Sequence, residues 1–437
     1  MAVGLLIKPL TAPLSDTILY MSLGGCGIFF LTHRDATISK ARRSLINTLP
    51  TTGLGFSETK RHLVDDIIPG FNGSSLSANY YAFVTGGVTP AALLADTINV
   101  HVHIPDHSVA TDVEHRALTL LLDLFDLDHK VWVHKTLTTG ATGSNVLGLA
   151  LGREFVLRAA VERKVGADRA AIKSVGEHGM AEVLLAAGLK GLQVLSTYPH
   201  SSIGKAAGVL GIGRANVKSI CASGGSESQH PLRFDFEILE KELSRSDVAS
   251  IVAVSCGEVN TGHFATGGLE ELRKIRQLCD KYGAWLHIDG AFGMFGRILK
   301  SGKEFDRLEL ADSITGDAHK LLNVPYDCGI FFSRHADIAE DVCRNPNAVY
   351  LSVGAGEIPA PCNIGLENSR RLRALPVYAT LVAYGKDGYR DMLERQIKLA
   401  RSVTGWLLEH PAYEVLPHNP VKESVLQDTL SLFYSGQ

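Results

Sequence analysis

The chain has 437 residues, 45% of them apolar and 20% charged, which fits one large globular domain with smaller satellites and excludes a disordered or fibrous protein. Its formal net charge of −3 provides no general attraction to nucleic acid or to an anionic membrane, and the sequence contains no basic stripe with interleaved aromatic residues. The seven cysteines include no CxxC pair, which argues against a disulfide framework and against a zinc site. We therefore predict a protein without a metal centre, in a reducing compartment, with a cytoplasmic location.

Residues 1–90 are predicted to form an N-terminal segment rich in turns, in which residues 1–37 have no assigned role. Residues 17–31 are largely apolar, but this run is shorter than the roughly 20 residues that span a bilayer, and glycines interrupt it. A docking arm or a loosely defined start of the chain is favoured over a secretory signal.

From about residue 110 onward, helical periods alternate with short apolar runs, which predicts an α/β fold with a mainly parallel central sheet. The clearest unit is a strand over 250–255, a helix from Leu269 to Tyr282 that stops at Gly283, and a strand from residue 284. Asp289 then stands at the carboxyl end of a strand, where ligands of open α/β sheets bind.

The predicted domains are a large α/β domain over 91–365 and a small C-terminal α+β subdomain over 366–437. Helical segments dominate the small subdomain and are followed by a predicted strand near 431–436. We expect this subdomain to be curtailed, because the sequence stops where further strands would be needed.

Two short segments contain residues that suit carbonyl and ring chemistry. Lys320 follows His319 among apolar residues, and partial desolvation favours the neutral amine that attacks an aldehyde; a solvated surface lysine is the alternative. Asp289 could simply cap the next helix, or its carboxylate could keep a pyridine nitrogen protonated. Ala291 is small enough to let a ring lie close to the backbone.

Two further segments contain polar residues at turns. The run from Thr139 to Asn145 opens a helix that is predicted to begin at residue 145, and its small residues suit a phosphate cup, although no GK[ST] follows as in a nucleotide P-loop. His200 lies between a predicted strand over 192–197 and a helix over 203–211. It is either a satisfied polar residue or a group that stacks on a cofactor and assists proton movement.

The order and spacing of four segments, TTGATGSN, YPHSS, HIDGAFG and DAHKLLNVPYDCG, resemble those of the group II pyridoxal-phosphate-dependent decarboxylases. That family includes the aromatic-amino-acid, tyrosine, glutamate and diaminobutyrate enzymes. The resemblance extends from about residue 40 to about residue 415. It implies the aspartate-aminotransferase fold (fold type I), pyridoxal 5'-phosphate as cofactor, and a homodimer with its active sites at the interface.

The resemblance also implies a role for individual residues. Lys320 would hold the cofactor as a Schiff base, Asp289 would pair with the pyridine nitrogen, and His200 would stack on the ring opposite Ala291. The phosphate would be held by Thr142, Gly143 and Ser144, with His319 nearby, and Phe83 and Thr85 would approach the substrate.

The implied reaction is that of a carboxy-lyase, in which an L-amino acid is decarboxylated to an amine and CO₂. Two features favour alternatives. The segment 352–367 lacks the tyrosine that the family carries in a mobile loop, which suggests oxidative deamination, transamination or C–C bond formation in a biosynthetic pathway. The short C-terminus suggests a non-catalytic homologue that acts as a dimerisation or binding partner.

Glu258 and Val259 stand where family members commonly have two threonines. A carboxylate beside the substrate pocket would select a basic or polar side chain. The alternatives are a glutamate that turns to solvent or one that caps the following turn.

Overall fold

The computed structural model describes residues 27–48, 50–70, 88–98, 101–102, 109–166, 174–222, 232–259, 264–266, 268–299, 308–345 and 358–411. The chain divides into two compact units, one within Pro9–Tyr80 and the other from Tyr81 onward. Phe83 and Thr85 lie outside the described residues, as does the strand predicted near 431–436. The predicted domain boundaries stay predictions.

The smaller unit is helical in its described part. It contains α1 (Gly27–Ser44) and α2 (Gly55–Arg61), and a π-helical turn and a 3-10 turn follow α2 directly. None of the residues of α2 is buried within this unit.

A seven-stranded sheet organises the larger unit. Its strands are β2 (His134–Thr138), β3 (Gly191–Ser196), β4 (Val217–Ser219), β5 (Val248–Ser255), β6 (Trp285–Asp289), β7 (Ser313–Asp317) and β8 (Gly329–Ser333), and β1 (His101–Val102) pairs separately with β9 (Arg370–Arg371). The order across the sheet is β2-β8-β7-β6-β5-β3-β4. Within this described sheet only β8 runs antiparallel to its neighbours, so the prediction of a mainly parallel α/β sheet is confirmed.

Helices cover both faces of the sheet. They are α3 (Pro90–Asp96), α4 (Ala110–Leu124), α5 (Ala141–Val165), α6 (Val175–Ala187), α7 (Ser201–Val209), α8 (Phe236–Leu243), α9 (Leu269–Tyr282), α10 (Ala318–Leu321), α11 (Ala336–Cys343) and α12 (Ala374–Glu409). Alternate residues of β5 belong to different cores: Ile251 packs with α5, α6 and α7, whereas Val252 packs with α4, α9 and α12. The sheet is therefore the middle layer of three.

The strand–helix–strand unit predicted around residues 249–289 is confirmed. β5 and β6 pair in parallel, and α9 connects them with Ile275 and Cys279 fully buried. Gly283 has a left-handed φ of 67° and ends α9, as its position after the last apolar residue indicates.

Besides α7, which lies two residues earlier than the predicted 203–211, two helices differ from the sequence expectation. α5 begins at Ala141 rather than at residue 145, because the small residues of the cup segment already adopt the first helical turn and the Ser144 N–H donates to the Gly140 carbonyl. α12 begins at Ala374, and Gly385, with a φ of 58°, interrupts it before the helix that the sequence predicts from residue 387. Among the described helices, none combines the length and apolar character that a membrane span requires.

Candidate active site

The carboxyl ends of β5 and β6 open onto one pocket, which measures about 370 Å³ together with the solvent at its mouth. Parallel neighbouring strands end at the same edge of a sheet, which is why residues distant in sequence meet here. The pocket is lined by Ala141, His200, Ser255, Gly257, Glu258, Val259, Asp289, Ala291, Phe292 and Lys320. Four residues predicted from sequence, namely Lys320, Asp289, His200 and Ala291, are thus brought together.

Lys320 lies on α10, the single turn of helix that follows β7. Its side chain is 12% exposed, its Nζ is 3.3 Å from Asp317 Oδ2, and the same Nζ lies 3.8 Å from the centroid of the Phe292 ring. A carboxylate and an aromatic face thus both contact the amine. This environment excludes the alternative of a solvated surface lysine.

Asp317 was not among the predicted site residues, although it ends β7 as Asp289 ends β6. Its Oδ1 accepts the Ala141 N–H at 2.7 Å, while Oδ2 faces Lys320. Burial raises the pKa of Asp317 to about 6, against the opposing effects of Lys320 and of the Ala141 N–H. The rule that identified Asp289, a carboxylate at a strand's carboxyl end, would have identified Asp317 as well.

Asp289 is held by two donors. Asn145 Nδ2 donates to Oδ2 at 2.9 Å, and the Ala291 N–H donates to Oδ1 at 3.2 Å. The second contact reaches the backbone two residues on and does not cap the next helix, whose N-cap is Phe292; the first directs the other oxygen toward α5. Asn145 was also missed, and its signal was a polar residue in a helix whose neighbours are small or apolar.

His200 forms the N-cap of α7. Its Nδ1 lies 2.7 Å from Ser202 Oγ and accepts the Ser202 N–H at 3.3 Å. Burial lowers the pKa of His200 against an opposing effect of Asp289, which favours the neutral imidazole. His200 is therefore both a satisfied polar residue and a lining residue of the pocket.

The start of α5 supplies backbone donors at the edge of the pocket. The Asp317 carboxylate accepts the Ala141 N–H, which shows that this helix terminus attracts an anion. Thr142 is exposed and Gly143 is half-buried, so both are accessible to a ligand. Ser144 differs: it is fully buried, its hydroxyl lies 2.8 Å from Thr138 Oγ1, and its N–H is used within the helix.

His319 lies next to this helix start, where a Cβ added at Gly140 would be 3.2 Å from its Cε1. Its Nδ1 accepts the Cys328 N–H at 3.2 Å, and its ring lies 4.4 Å from the ring of Tyr326. Burial lowers the pKa of His319 to about 4, so its neutral ring has a proton on Nε2.

The sequence departs from the family pattern at Glu258 and in the segment 352–367, and the structure describes only the first of these positions in full. Glu258 is 3% exposed and lines the pocket, which excludes the alternative of a glutamate turned to solvent. The segment 352–367 is described only from residue 358 onward, so its prediction remains open.

Comparison with known proteins now identifies the family. Residues 78–425 match the family model described as the pyridoxal-dependent decarboxylase conserved domain. The chain belongs to the pyridoxal-dependent decarboxylase family. One curated relative is L-2,4-diaminobutyrate decarboxylase of Acinetobacter baumannii, which is 28% identical to this chain over 286 residues. These residues cover 64% of this chain and 52% of the relative. Tyrosine decarboxylase 2 of Arabidopsis thaliana is 23% identical over 386 residues, which cover 85% and 66%.

This decarboxylase-family chain also resembles solved structures. Catharanthus roseus tryptophan decarboxylase, solved in complex with L-tryptophan, matches with a TM-score of 0.69 and 17% identity over 90% of this chain and 80% of that one. Mouse CSAD matches with a TM-score of 0.68 and 18% identity over 86% and 74%. These similarities confirm the predicted fold. The chain spans 52% of the length of the diaminobutyrate relative and 66% of the tyrosine relative.

Pyridoxal phosphate is the cofactor of this family, and the donor set of the pocket fits it. The amine of Lys320 suits its aldehyde, the Asp289 carboxylate suits a protonated pyridine nitrogen, and the start of α5 suits a phosphate. Asp317 Oδ1 already occupies a donor of that helix terminus, as an anion would.

Proposed function

We propose that the protein decarboxylates an L-amino acid to the corresponding amine and CO₂. One observation supports this most strongly: the Lys320 amine, the Asp289 carboxylate and the His200 ring line a single pocket beside the start of α5, in a chain of this family. The cytoplasm and a homodimer are the proposed location and assembly; the location rests on the cysteine pattern and the assembly on the sequence resemblance.

The roles divide among the residues of the pocket. Pyridoxal phosphate, when bound, supplies an electron sink for the charge that decarboxylation leaves on the substrate's Cα. Lys320 would hold the cofactor covalently and release it to the incoming amino acid. Asp289 would keep the pyridine nitrogen protonated, since its two donors fix the carboxylate in place. Ala291 and His200 would flank the ring.

The remaining cofactor contacts would lie at the phosphate. Thr142 and Gly143 would hold it through the start of α5, and His319 would donate from Nε2. We assign Ser144 an indirect part, because its hydroxyl is engaged by Thr138. Phe83 and Thr85 remain proposed substrate contacts.

We further propose that the substrate side chain is cationic. Glu258 is a buried glutamate in the wall of the same pocket as Asp289, so an acidic side chain entering beside them would meet two carboxylates. Names of relatives alone do not decide this, because they include L-2,4-diaminobutyrate and aspartate 1-decarboxylases. The buried glutamate favours the former.

A substrate screen tests the reaction. Amino acids of each charge class are added to the holoenzyme, and amine, CO₂ and oxygen uptake are measured. We expect amine and CO₂ without oxygen uptake; oxygen uptake, or an aldehyde in place of the amine, would point to oxidative deamination. Lys320→Ala should lose the yellow colour of the bound cofactor and all turnover, whereas Lys205→Ala, at an exposed lysine of α7, should retain both.

Glu258→Gln tests the substrate class. The preference for 2,4-diaminobutyrate over neutral 2-aminobutyrate, measured as the ratio of kcat/KM, should fall about tenfold, which corresponds to one charge-assisted contact. Glu270→Gln removes a carboxylate on an exposed position of α9 and should leave the ratio unchanged. An unchanged ratio in Glu258→Gln would refute the cationic substrate but not decarboxylation itself.

A further inference from the structure

A buried chain of side chains runs behind Asp289 and connects β6, β7, α5 and α7. Its members between the pocket residues and the core are at most 3% exposed. They are Trp285, Ser313, His287, Asn145 and Ser202. The chain ends at two residues of the pocket, Asp289 and His200.

The deeper half of the chain lies between the sheet and α5. Trp285 Nε1 donates to Ser313 Oγ at 3.0 Å, and that hydroxyl lies 2.8 Å from His287 Nδ1. His287 Nε2 lies 2.9 Å from Asn145 Oδ1. Thr315 Oγ1 is a longer neighbour of the same nitrogen, at 3.4 Å.

The half nearer the pocket branches at Asn145. Its Nδ2 donates to Asp289 Oδ2 at 2.9 Å and to Ser202 Oγ at 2.9 Å, which uses both hydrogens of the amide. Ser202 Oγ then lies 2.7 Å from His200 Nδ1.

The chemistry of the two ends fixes the direction of every bond between them. A carboxylate only accepts, so the NH₂ group of Asn145 must face Asp289 and its carbonyl must face His287. His287 therefore has its proton on Nε2 and accepts the Ser313 hydroxyl at Nδ1. An indole N–H only donates, and Trp285 donates to Ser313 Oγ, which leaves the Ser313 hydrogen free for His287. Asp289 at one end and Trp285 at the other thus require the same direction for the hydrogen bonds between them.

The hydrogen bonds of Ser202 determine which ring nitrogen of His200 carries the proton. Ser202 Oγ accepts from Asn145, so its own hydrogen is available to His200 Nδ1, which also accepts the Ser202 N–H. With Nδ1 committed as an acceptor, the proton of the neutral ring is on Nε2.

We propose that His287 and Asn145 are positioning residues, which lock His200 in its Nε2–H tautomer and aim the Asp289 carboxylate. His200 then donates a hydrogen bond into the pocket from Nε2 and has no basic nitrogen there with which to remove a proton. The inference rests on the proposed roles of His200 and Asp289.

Glycines on α5 leave room for the chain. A Cβ added at Gly148 would lie 2.4 Å from His287 Cε1 and 2.5 Å from its Nδ1, and one added at Gly152 would lie 2.8 Å from Trp285 Cδ1. The two rings therefore pass the helix at positions where no side chain larger than hydrogen fits. Gly148→Ala consequently displaces His287 without changing any group that takes part in the hydrogen bonds.

The direct test is the tautomer itself, and it does not depend on turnover. The holoenzyme is labelled with ¹⁵N-histidine, and the ring nitrogens are assigned by their loss in His200→Gln and His287→Gln. We expect both rings to be protonated at Nε2 and unprotonated at Nδ1 at neutral pH. A proton on Nδ1 of either ring, or averaging between two tautomers, would overturn the proposal.

The second test separates positioning from folding. Gly148→Ala should lower kcat about tenfold or more with little change in KM and should abolish the single tautomer of His200. Gly204→Ala, on α7, is the matched control, because its added Cβ meets no atom within 4 Å. A Gly148→Ala enzyme with unchanged kcat and an unchanged His200 tautomer would refute the proposal. If this variant does not fold, the tautomers of the unaltered holoenzyme decide alone.

Discussion

Replacing Asp317 by asparagine should make the stability of the apo-enzyme less sensitive to pH. Burial raises the pKa of Asp317 from 3.8 to about 6 despite the nearby Lys320 amine. This difference between the two pKa values corresponds to about 3 kcal/mol. Because the folded pKa is the higher one, the stabilisation is fully present below the unfolded pKa and is lost as the pH rises through about 6.

The asparagine side chain would mimic the protonated carboxyl of Asp317 at every pH. The free energies of unfolding of the Asp317→Asn variant and the unaltered apo-enzyme should therefore agree near pH 4 and diverge to about 3 kcal/mol in favour of the variant above pH 7. Urea unfolding between pH 4 and pH 8 measures the difference, in which the other titrating groups cancel. Asp387→Asn, at a carboxylate whose side chain is 94% exposed, is the control. A difference that is constant with pH, or that favours the unaltered enzyme at high pH, would refute the reasoning.

Two further predictions concern cofactor binding and the stability of the fold. Gly329→Ala should weaken cofactor binding about tenfold. The added Cβ would lie 2.4 Å from Thr138 Oγ1 and 2.5 Å from the Gly140 carbonyl carbon, at the turn before α5. Titration of the apo-enzyme with cofactor measures the Kd, and an unchanged Kd would contradict the prediction. Glu114→Ala should lower the free energy of unfolding by about 3–5 kcal/mol, because it leaves the buried Arg370 guanidinium without its bidentate partner. An unchanged urea midpoint would contradict the second prediction.

The sequence predicted those parts of the fold that local patterns determine. The helix from Leu269 to Tyr282 has a strong 3.6-residue period and a glycine stop, and its observed bounds agree with the prediction. The start of α5 was placed too late, because glycine, threonine and serine between 141 and 144 are poor local indicators of helix. The direction of β8 could not be predicted, since a short apolar run has the same pattern in either direction.

The residues of the candidate site likewise divide into those that the sequence predicted and those that depend on tertiary structure. Asp289 ends β6 and Lys320 follows β7, and topology brings such residues to one edge, so motif and fold agree on them. The engagement of Ser144 with Thr138 depends on where α5 begins, and the burial of Glu258 depends on how the chain after β5 folds over the pocket. Both are tertiary facts that residue type and spacing do not determine.

The reversed strand β8 also determines when the site can form during folding. In the described sheet β8 lies between β2 and β7, and it pairs with both. The turn that begins α5 follows β2, yet β2 has no place beside β7 until a strand from residues 329–333 is inserted. Pairings between such distant segments form slowly, because a long loop must close first. We therefore expect a nascent chain to complete its cofactor site only after residues 329–333, which follow Lys320, have joined the sheet.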